Sequence, residues 1–442
     1  MKPIARALAI ALPIGLALIG LSSLAQSTSN TTVKGEITIW GWKDPLTALK
    51  TVDESFGKAF PNVTIKYVQK APADTYQGLK LAVSAGSGAP DVVLLEDAYL
   101  AQFVSLGALA DITAQTNPYL KKMNAYKWNA ATLKGRVYSM PWDSGPVAMY
   151  YRRDVFQKAG VDASSIKTWD DYLKAAAVIK AKTGVKMLPL SKARNDARFF
   201  ETLLWQQGIG YTDRNGAVIV DKDPRAKLAL DLIAKLFKDD LTADFENWTD
   251  PWYKTMAEGE IATLPMASWM GGFLKSWIAP KTVGQWGVLP LPTFSGSRAR
   301  TSNDGGSHLA ITDSSKNKDA AWAYIEYHLG RTESQLTMYK ATDIFPSLES
   351  TYKDAAFNEP DAFFGGQKTR QIFAEAVKTV PNATVYTADY PQINGLMSLE
   401  LQKMATGKQS ASETLKNAAN STSFFDCCCQ LVGFVFVSGL FV

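Results

Sequence analysis

Tryptophan stands beside short polar residues at several predicted strand ends, an arrangement suited to binding a polyhydroxylated ring. A flat aromatic side chain can cover the apolar C–H face of such a ring. Carboxylate and ammonium groups can take its hydroxyl rim in charge-assisted hydrogen bonds. The residues concerned are Trp42 with Lys43 and Asp44, Glu96 with Asp97, Trp142 with Asp143, and Trp269.

Several of these residues also have a purely structural interpretation. Lys43 and Asp44 could lie in a solvated turn, and Asp97 suits the cap of a helix that begins at Ala98. Trp142 could pack where the chain passes between two lobes. The sequence leaves both interpretations open at these positions.

An alternation of strands and helices must position these side chains. Strands are predicted over 36–40, 63–68 and 91–95, and helices over 46–59, 75–85 and 98–106. The run 91–95 is continuously apolar, as in a buried parallel strand. This order favours a parallel sheet with helices on both faces.

The alternation resumes further along the chain, which predicts a second α/β lobe. A strand is predicted over 147–151 and another over 261–266. Between them, Thr168 is predicted to cap a helix over 169–182, with Asp171 at the third position of the capping box.

The composition places the 442-residue chain among ordinary globular proteins. Its residues are 46% hydrophobic and 20% charged, and the length predicts two or three domains. The net charge of +5 is dispersed, unlike the basic patch of a nucleic-acid-binding protein. The two histidines are His308 and His328, and the three cysteines are adjacent at 427–429, so no His- or Cys-based metal site is expected.

Both ends of the chain are expected to lie outside the fold. Residues 1–25 have a short basic start, an apolar run and small residues at a cleavage point, which predicts a secretory signal peptide. The residue directly after the cleavage point is Gln26 and not a cysteine, so no lipid-anchored N-terminus is expected. The segment 424–442 is apolar and Cys-rich, and we interpret it as an anomalous, non-native tail.

Five segments together resemble the extracellular solute-binding proteins of carbohydrate ABC transporters, the branch that includes maltose-binding protein. The most specific is KGRVYSMPWDSGPVAMYYRRDVFQKAGV at 134–161. The others are ITIWGW at 37–42, the stretch 81–112, MASWMGGF at 266–273 with VLPLPTFSG at 288–296, and NDGGSHLAI at 303–311. Their order and spacing cover roughly residues 35–420, nearly the whole mature chain.

The resemblance implies a type II periplasmic-binding-protein fold: two lobes, each a mostly parallel sheet flanked by helices, which close around one ligand at hinge crossings. Lobe one is expected over 34–143 plus 307–345, and lobe two over 144–306 plus 346–420. It also implies a monomer, periplasmic or extracellular, that delivers a mono- or oligosaccharide to a membrane permease, with neither catalysis nor cofactor.

The resemblance also marks residues for the ligand cleft. Trp269 corresponds to a tryptophan that stacks on the sugar, and Asp97 to a carboxylate that points into the cleft. The remaining residues lie in loops at the later crossings or near the C-terminus: Asn303, Gly305, Gly306, Phe345, Tyr386 and Asp389.

Two alternatives stay open from the residues alone. An exported glycoside hydrolase needs two carboxylates about 5–10 Å apart, and Glu96 with Asp143 is a candidate pair. The same fold could instead bind a polyamine or ferric iron. For iron, Tyr150 and Tyr151 are a poor match, because adjacent strand residues point to opposite faces.

Overall fold

The computed structural model describes residues 29–192, 197–213, 215–382 and 386–422. The predicted signal peptide at 1–25 and the tail at 424–442 lie outside the described residues. The two-lobe α/β fold class is confirmed.

The described strands are short, and most of them belong to two sheets. They are β1 (Gly35–Gly41), β2 (Val63–Gln69), β3 (Val92–Glu96), β4 (Thr132–Leu133), β5 (Arg136–Val137), β6 (Met140–Pro141), β7 (Val147–Arg152), β8 (Leu188–Pro189), β9 (Thr242–Ala243), β10 (Thr263–Ala267), β11 (Trp286–Leu289) and β12 (Ser307–Ile311).

The helices flank these sheets. They are α1 (Lys43–Lys50), α2 (Asp53–Ala59), α3 (Pro72–Ala85), α4 (Asp97–Ser105), α5 (Thr113–Thr116), α6 (Lys127–Ala131), α7 (Arg153–Ala159), α8 (Trp169–Thr183), α9 (Arg198–Gln206), α10 (Pro224–Lys238), α11 (Asp250–Glu258), α12 (Met270–Phe273), α13 (Lys318–Leu329), α14 (Thr332–Thr342), α15 (Thr369–Val377), α16 (Tyr390–Ala405) and α17 (411–422).

Lobe one is built on a five-stranded sheet in the order β2-β1-β3-β12-β6. The first three strands are parallel, as the β-α-β-α-β pattern predicts, and β12 pairs antiparallel with β3 and β6. Strand β3 carries four consecutive fully buried residues, which explains its unbroken apolar sequence. Its carboxyl end delivers Glu96 and Asp97 to the edge of the sheet.

Lobe two differs from the expectation of a mostly parallel sheet. Its three-stranded sheet has the order β10-β7-β11, and both neighbours pair antiparallel with β7. Strand-helix alternation predicts the order of elements along the chain but not the direction in which each strand runs in the sheet.

The capping box of α8 is confirmed: Asp171 N donates to Thr168 Oγ1 and Thr168 N donates to the Asp171 carboxylate, both at 3.1 Å.

Candidate ligand-binding site

The chain is expected to cross between the lobes in three segments, near residues 143, 306 and 345, and the second and third segments hydrogen bond to the first. Ser144 N donates to Phe345 O at 2.8 Å, and Asp304 N donates to Gly145 O at 2.9 Å. A Cβ on Gly145 would lie 2.2 Å from Asp304 O, so only glycine allows these two backbones to come so close. The three crossings therefore form one packed hinge region.

A cavity of about 260 Å³ opens where these crossings meet residues from both lobes. Its walls combine aromatic rings with four carboxylates and one guanidinium. The lining residues are Trp42, Asp44, Pro45, Glu96, Trp142, Asp143, Arg198, Asn247, Trp248, Met266, Trp269, Phe273, Asp304, Gly305, Gly306, Ser307, Thr342 and Ile344.

Trp248, Trp269 and Phe273 form an aromatic wall of the cavity, and Trp269 lies between the other two. It follows β10 at the turn into α12, and its ring centroid lies 5.8 Å from that of Trp248 and 5.5 Å from that of Phe273. Its Nε1 donates a hydrogen bond to Asp304 O at 3.1 Å. This hydrogen bond connects the wall to the second crossing and fixes the orientation of the indole.

The polar wall of the cavity contains Arg198, Asp304, Glu96 and Asp44, and the first two form an ion pair. Arg198 begins α9, and its Nη1 lies 2.9 Å from Oδ1 of Asp304 in the second crossing. Glu96 ends β3 and is half-buried; burial raises the pKa of its carboxyl, while the charge of Arg198 opposes the shift. Asp44 lies in the first turn of α1. These groups offer both acceptors and donors to a polar ligand.

Asp143 lies at the first crossing with its carboxyl almost fully buried. Ser307 N donates to its Oδ1 at 2.6 Å. Burial raises its pKa to about 6, even though the positive charge of Lys127 and the hydrogen bond from Ser307 act in the opposite direction. Trp142, directly before it, is 1% exposed. This tryptophan therefore packs in the core and also lines the cavity.

Asp97, Lys127 and His308 form a buried charged cluster. The Asp97 carboxylate accepts a hydrogen bond from Lys127 Nζ, and the same Oδ1 lies 3.0 Å from His308 Nε2. Burial and the nearby Lys127 charge lower the pKa of His308 to about 4. The Ser139 hydroxyl lies 3.1 Å from Nδ1 of the same imidazole.

The sequence-predicted residues divide into two groups. Those that line the cavity are Trp42, Asp44, Glu96, Trp142, Asp143, Trp269, Gly305 and Gly306. Those absent from its lining are Lys43, Asp97, Asn303, Phe345, Tyr386 and Asp389.

Most residues of the second group have other contacts. Asp97 is engaged by Lys127, and Asn303 is buried with its side-chain amide donating to Gly305 O at 3.0 Å. Phe345 is 1% exposed, in a hydrophobic cluster that also contains Tyr150 and Phe373. Tyr386 packs edge-on against Trp205 and Tyr390, whereas Lys43 and Asp389 are exposed at the starts of α1 and α16.

The sequence did not single out several lining residues. Arg198, at the start of α9, and Trp248 were candidates that the sequence could not rank; the ion-pair partner of Arg198, Asp304, is 106 residues away along the chain. Phe273 carried a usable signal, since it follows Trp269 by four residues and therefore shares its face of a helical turn. Asp304 lay inside the loop already chosen around Asn303.

A family model described as "Bacterial extracellular solute-binding protein" matches residues 41–335, more than half of the chain. The chain belongs to this family. Within the described residues of this solute-binding protein, no group of three or more His, Cys, Asp or Glu side chains is placed to hold a metal ion. Among the helices of the same residues, none is long and apolar enough to cross a membrane.

Two curated relatives of this solute-binding protein are similar over most of their length. The lactose-binding protein of Rhizobium radiobacter is 28% identical, covering 84% of this chain and 92% of the relative. The arabinooligosaccharide-binding protein of Bacillus subtilis strain 168 is 26% identical, covering 79% and 81%.

A solved structure is similar over nearly all of its chain. It is the ABC transporter associated binding protein of B. animalis subsp. lactis Bl-04 in complex with β-1,6-galactobiose. It is 31% identical, with a TM-score of 0.75, covering 88% of this chain and 97% of the other.

Proposed function

We propose that this protein is the substrate-binding component of an ABC sugar importer, and that a mono- or oligosaccharide binds in the cavity between its lobes. The observation that carries the proposal is the pairing of an aromatic wall, centred on Trp269, with the ion-paired polar wall of Arg198 and Asp304. Stacking faces beside charged hydrogen-bonding groups match the apolar faces and hydroxyl rim of a sugar. The relatives named for lactose, arabino-oligosaccharide and galactobiose binding support the same ligand class.

The Arg198 guanidinium is the observation that weighs against a polyamine ligand. Four carboxylates line it, but the Arg198 guanidinium lies among them and is paired with Asp304. A polycation would meet this like charge, whereas a sugar hydroxyl can accept from the guanidinium and donate to a carboxylate.

The adjacent tyrosines do not suit ferric iron. The Tyr150 hydroxyl is buried and donates to the carbonyl oxygens of Ala267 and Ser268, both at 3.1 Å. Tyr151 packs instead against Phe156, with ring centroids 5.3 Å apart. The two phenols therefore serve packing on opposite faces of β7.

The proposed role is binding and delivery without chemistry. The ligand would pass unchanged to membrane permease subunits, and the binding protein would act as a monomer in the periplasm after export by a cleavable signal peptide. Its affinity would be near micromolar, about −8 kcal/mol, which holds the ligand firmly enough to collect it and still allows release.

A thermal-shift screen tests the ligand class. The purified protein is heated with lactose, β-1,6-galactobiose, arabino-oligosaccharides and monosaccharides, with spermidine and ferric citrate as controls. Ligand at 100 times its Kd stabilises the folded state by about 2.7 kcal/mol, which raises the melting temperature clearly. A rise with one group of sugars supports the proposal, whereas a rise with spermidine or ferric citrate alone overturns the ligand class.

A further inference from the structure

A row of aromatic rings continues from the cavity towards the protein surface. Trp248, Trp269 and Phe273 line the cavity, with centroid distances of 5.8 Å between the first two and 5.5 Å between the last two. The next ring is that of Trp277, whose centroid lies 5.7 Å from Phe273. Trp277 does not line the cavity, so the row extends beyond it.

Trp277 presents its indole to solvent in a fixed position. Its side chain lies in the helical turn Leu274–Ile278, and the residue is 48% exposed. Tyr253 packs edge-on against it, with centroids 4.9 Å apart at 73°. Held between Tyr253 and Phe273, the indole would lose little conformational freedom when a ligand stacks on it.

Lys275 does not cover this row of rings. Its ammonium group pairs with the carboxylates of Asp343 and Asp361, the latter at 3.1 Å. These ion pairs also anchor the turn that carries Trp277. Trp277 is connected to the cavity wall through its contact with Phe273, with the two ring planes inclined at 44°, so it is not an isolated surface hydrophobe.

The small volume of the cavity limits the length of saccharide that it can hold. Its volume of about 260 Å³ is below the range of about 300–1,000 Å³ typical of small-molecule sites. A saccharide too long for this space must extend out of the cavity, and the row of rings that begins at Phe273 offers one path. Successive sugar rings in a chain each present an apolar C–H face, and the successive aromatic rings offer matching faces.

We propose that Phe273 and Trp277 form outer subsites that bind the distal sugar rings of an oligosaccharide whose first rings occupy the cavity. This proposal rests on the proposed function and deepens it: the preferred ligands are linear oligosaccharides rather than monosaccharides. The short sugars depend on Trp269, and the additional rings of longer sugars depend on Trp277.

The test is calorimetric titration with two ladders of one to four sugar units, β-1,6-linked galacto-oligosaccharides and arabino-oligosaccharides. The variants are Trp277→Ala, which removes the outer ring, and Trp277→Phe, which keeps an aromatic face. Trp322→Ala is the matched control, because Trp322 is also a partly exposed tryptophan but lies on α13 of lobe one, away from the cavity.

The wild-type affinity is expected to rise with chain length until the outer subsites are filled. Trp277→Ala should reduce the affinity for the longest sugars by about 3- to 10-fold and leave the shortest binding sugar unchanged. Trp277→Phe should retain most of the gain, and Trp322→Ala all of it.

The outcomes that overturn the proposal are distinct. If wild-type protein binds sugars with no dependence on length, or if Trp277→Ala changes every length equally or none, the outer subsites are refuted while the proposed function stands. If wild-type protein binds no saccharide, the proposed function fails and the subsites fail with it.

Discussion

Trp269 joins the two chemical halves of the cavity. Its ring belongs to the aromatic wall, and its indole nitrogen is hydrogen-bonded to the backbone of the polar second crossing. The sequence indicated this residue because a tryptophan after a predicted strand and before two glycines stands out locally. Arg198 could not be ranked in the same way, because its partner Asp304 is 106 residues away along the chain.

Replacing Trp269 with alanine should severely weaken sugar binding. The truncation removes the central stacking face, and buried aromatic anchors of this kind typically contribute at least about 2 kcal/mol, or roughly 30-fold in affinity. Titration calorimetry measures the loss, with Trp322→Ala as the control. Wild-type affinity in Trp269→Ala would show that the ligand binds elsewhere.

Asp143 and His308 are expected to oppose each other in the pH dependence of stability. The native pKa of Asp143 is raised to about 6, so folded protein holds a proton that the unfolded chain releases, and stability falls as pH rises from about 4 to about 6. The native pKa of His308 is lowered to about 4, so stability rises as pH rises from about 4 to about 6.5. Each of these two contributions amounts to about 3 kcal/mol, and they have opposite signs.

Single substitutions should reveal the two opposing slopes. Relative to wild type, the free energy of unfolding of Asp143→Asn should rise more steeply between pH 4 and 6.5, because the opposing contribution of Asp143 is gone. That of His308→Gln should rise less or fall over the same interval. Urea unfolding at several pH values measures this, and identical profiles for all three proteins would contradict the shifted pKa values.

At the scale of elements, the sequence predicted the order of strands and helices better than the direction of the strands or the continuity of the helices. The strands and helices from β1 to α4 follow the predicted alternation, because their periodicity and flanking glycines are local signals. The single helix predicted over 46–59 is instead divided into α1 and α2 at Thr51 and Val52. The antiparallel sheet of lobe two depends on contacts between distant segments, which no local pattern encodes.

Gly145→Ala, at the predicted hinge, should lower the free energy of unfolding because the site has no room for a Cβ. In Gly145→Ala the new Cβ would meet Asp304 O at 2.2 Å and its carbonyl carbon at 2.9 Å, so the two crossings must separate. We expect a loss of about 1–3 kcal/mol in the free energy of unfolding, together with weaker sugar binding.

Gly395→Ala is the matched control for this substitution. Gly395 lies inside α16, and a Cβ there meets nothing within 4 Å. Alanine should therefore stabilise the protein, by up to about 1 kcal/mol, because it favours the helix. Urea unfolding compares the two variants, and a Gly145→Ala protein as stable as Gly395→Ala would refute the close approach of the crossings.

At the scale of the molecule, the cavity exists only because the lobes meet. Trp42 and Glu96 reach it from lobe one, whereas Trp248 and Trp269 reach it from lobe two. The resemblance to a solute-binding family predicted this shared cleft, since composition alone indicates only a globular protein. The lobe boundaries at 143, 306 and 345 remain predictions.

Ligand binding is expected to draw the lobes together about the three crossings. Small-angle X-ray scattering should show a smaller radius of gyration with saturating saccharide than without it. The Trp269→Ala protein at the same saccharide concentration should keep the larger value, because its cleft stays largely empty. An unchanged radius in saturated wild-type protein would argue for a rigid binding site.

The most direct test of the account is calorimetric titration of the wild-type protein with β-1,6-galactobiose, lactose and arabino-oligosaccharides, followed by mass analysis of the recovered sugar. The account predicts saturable binding of one sugar per chain with a Kd near micromolar, and recovery of the sugar intact. Absence of binding to every saccharide, or recovery of cleaved sugar, would contradict a protein that binds and delivers carbohydrate without chemistry.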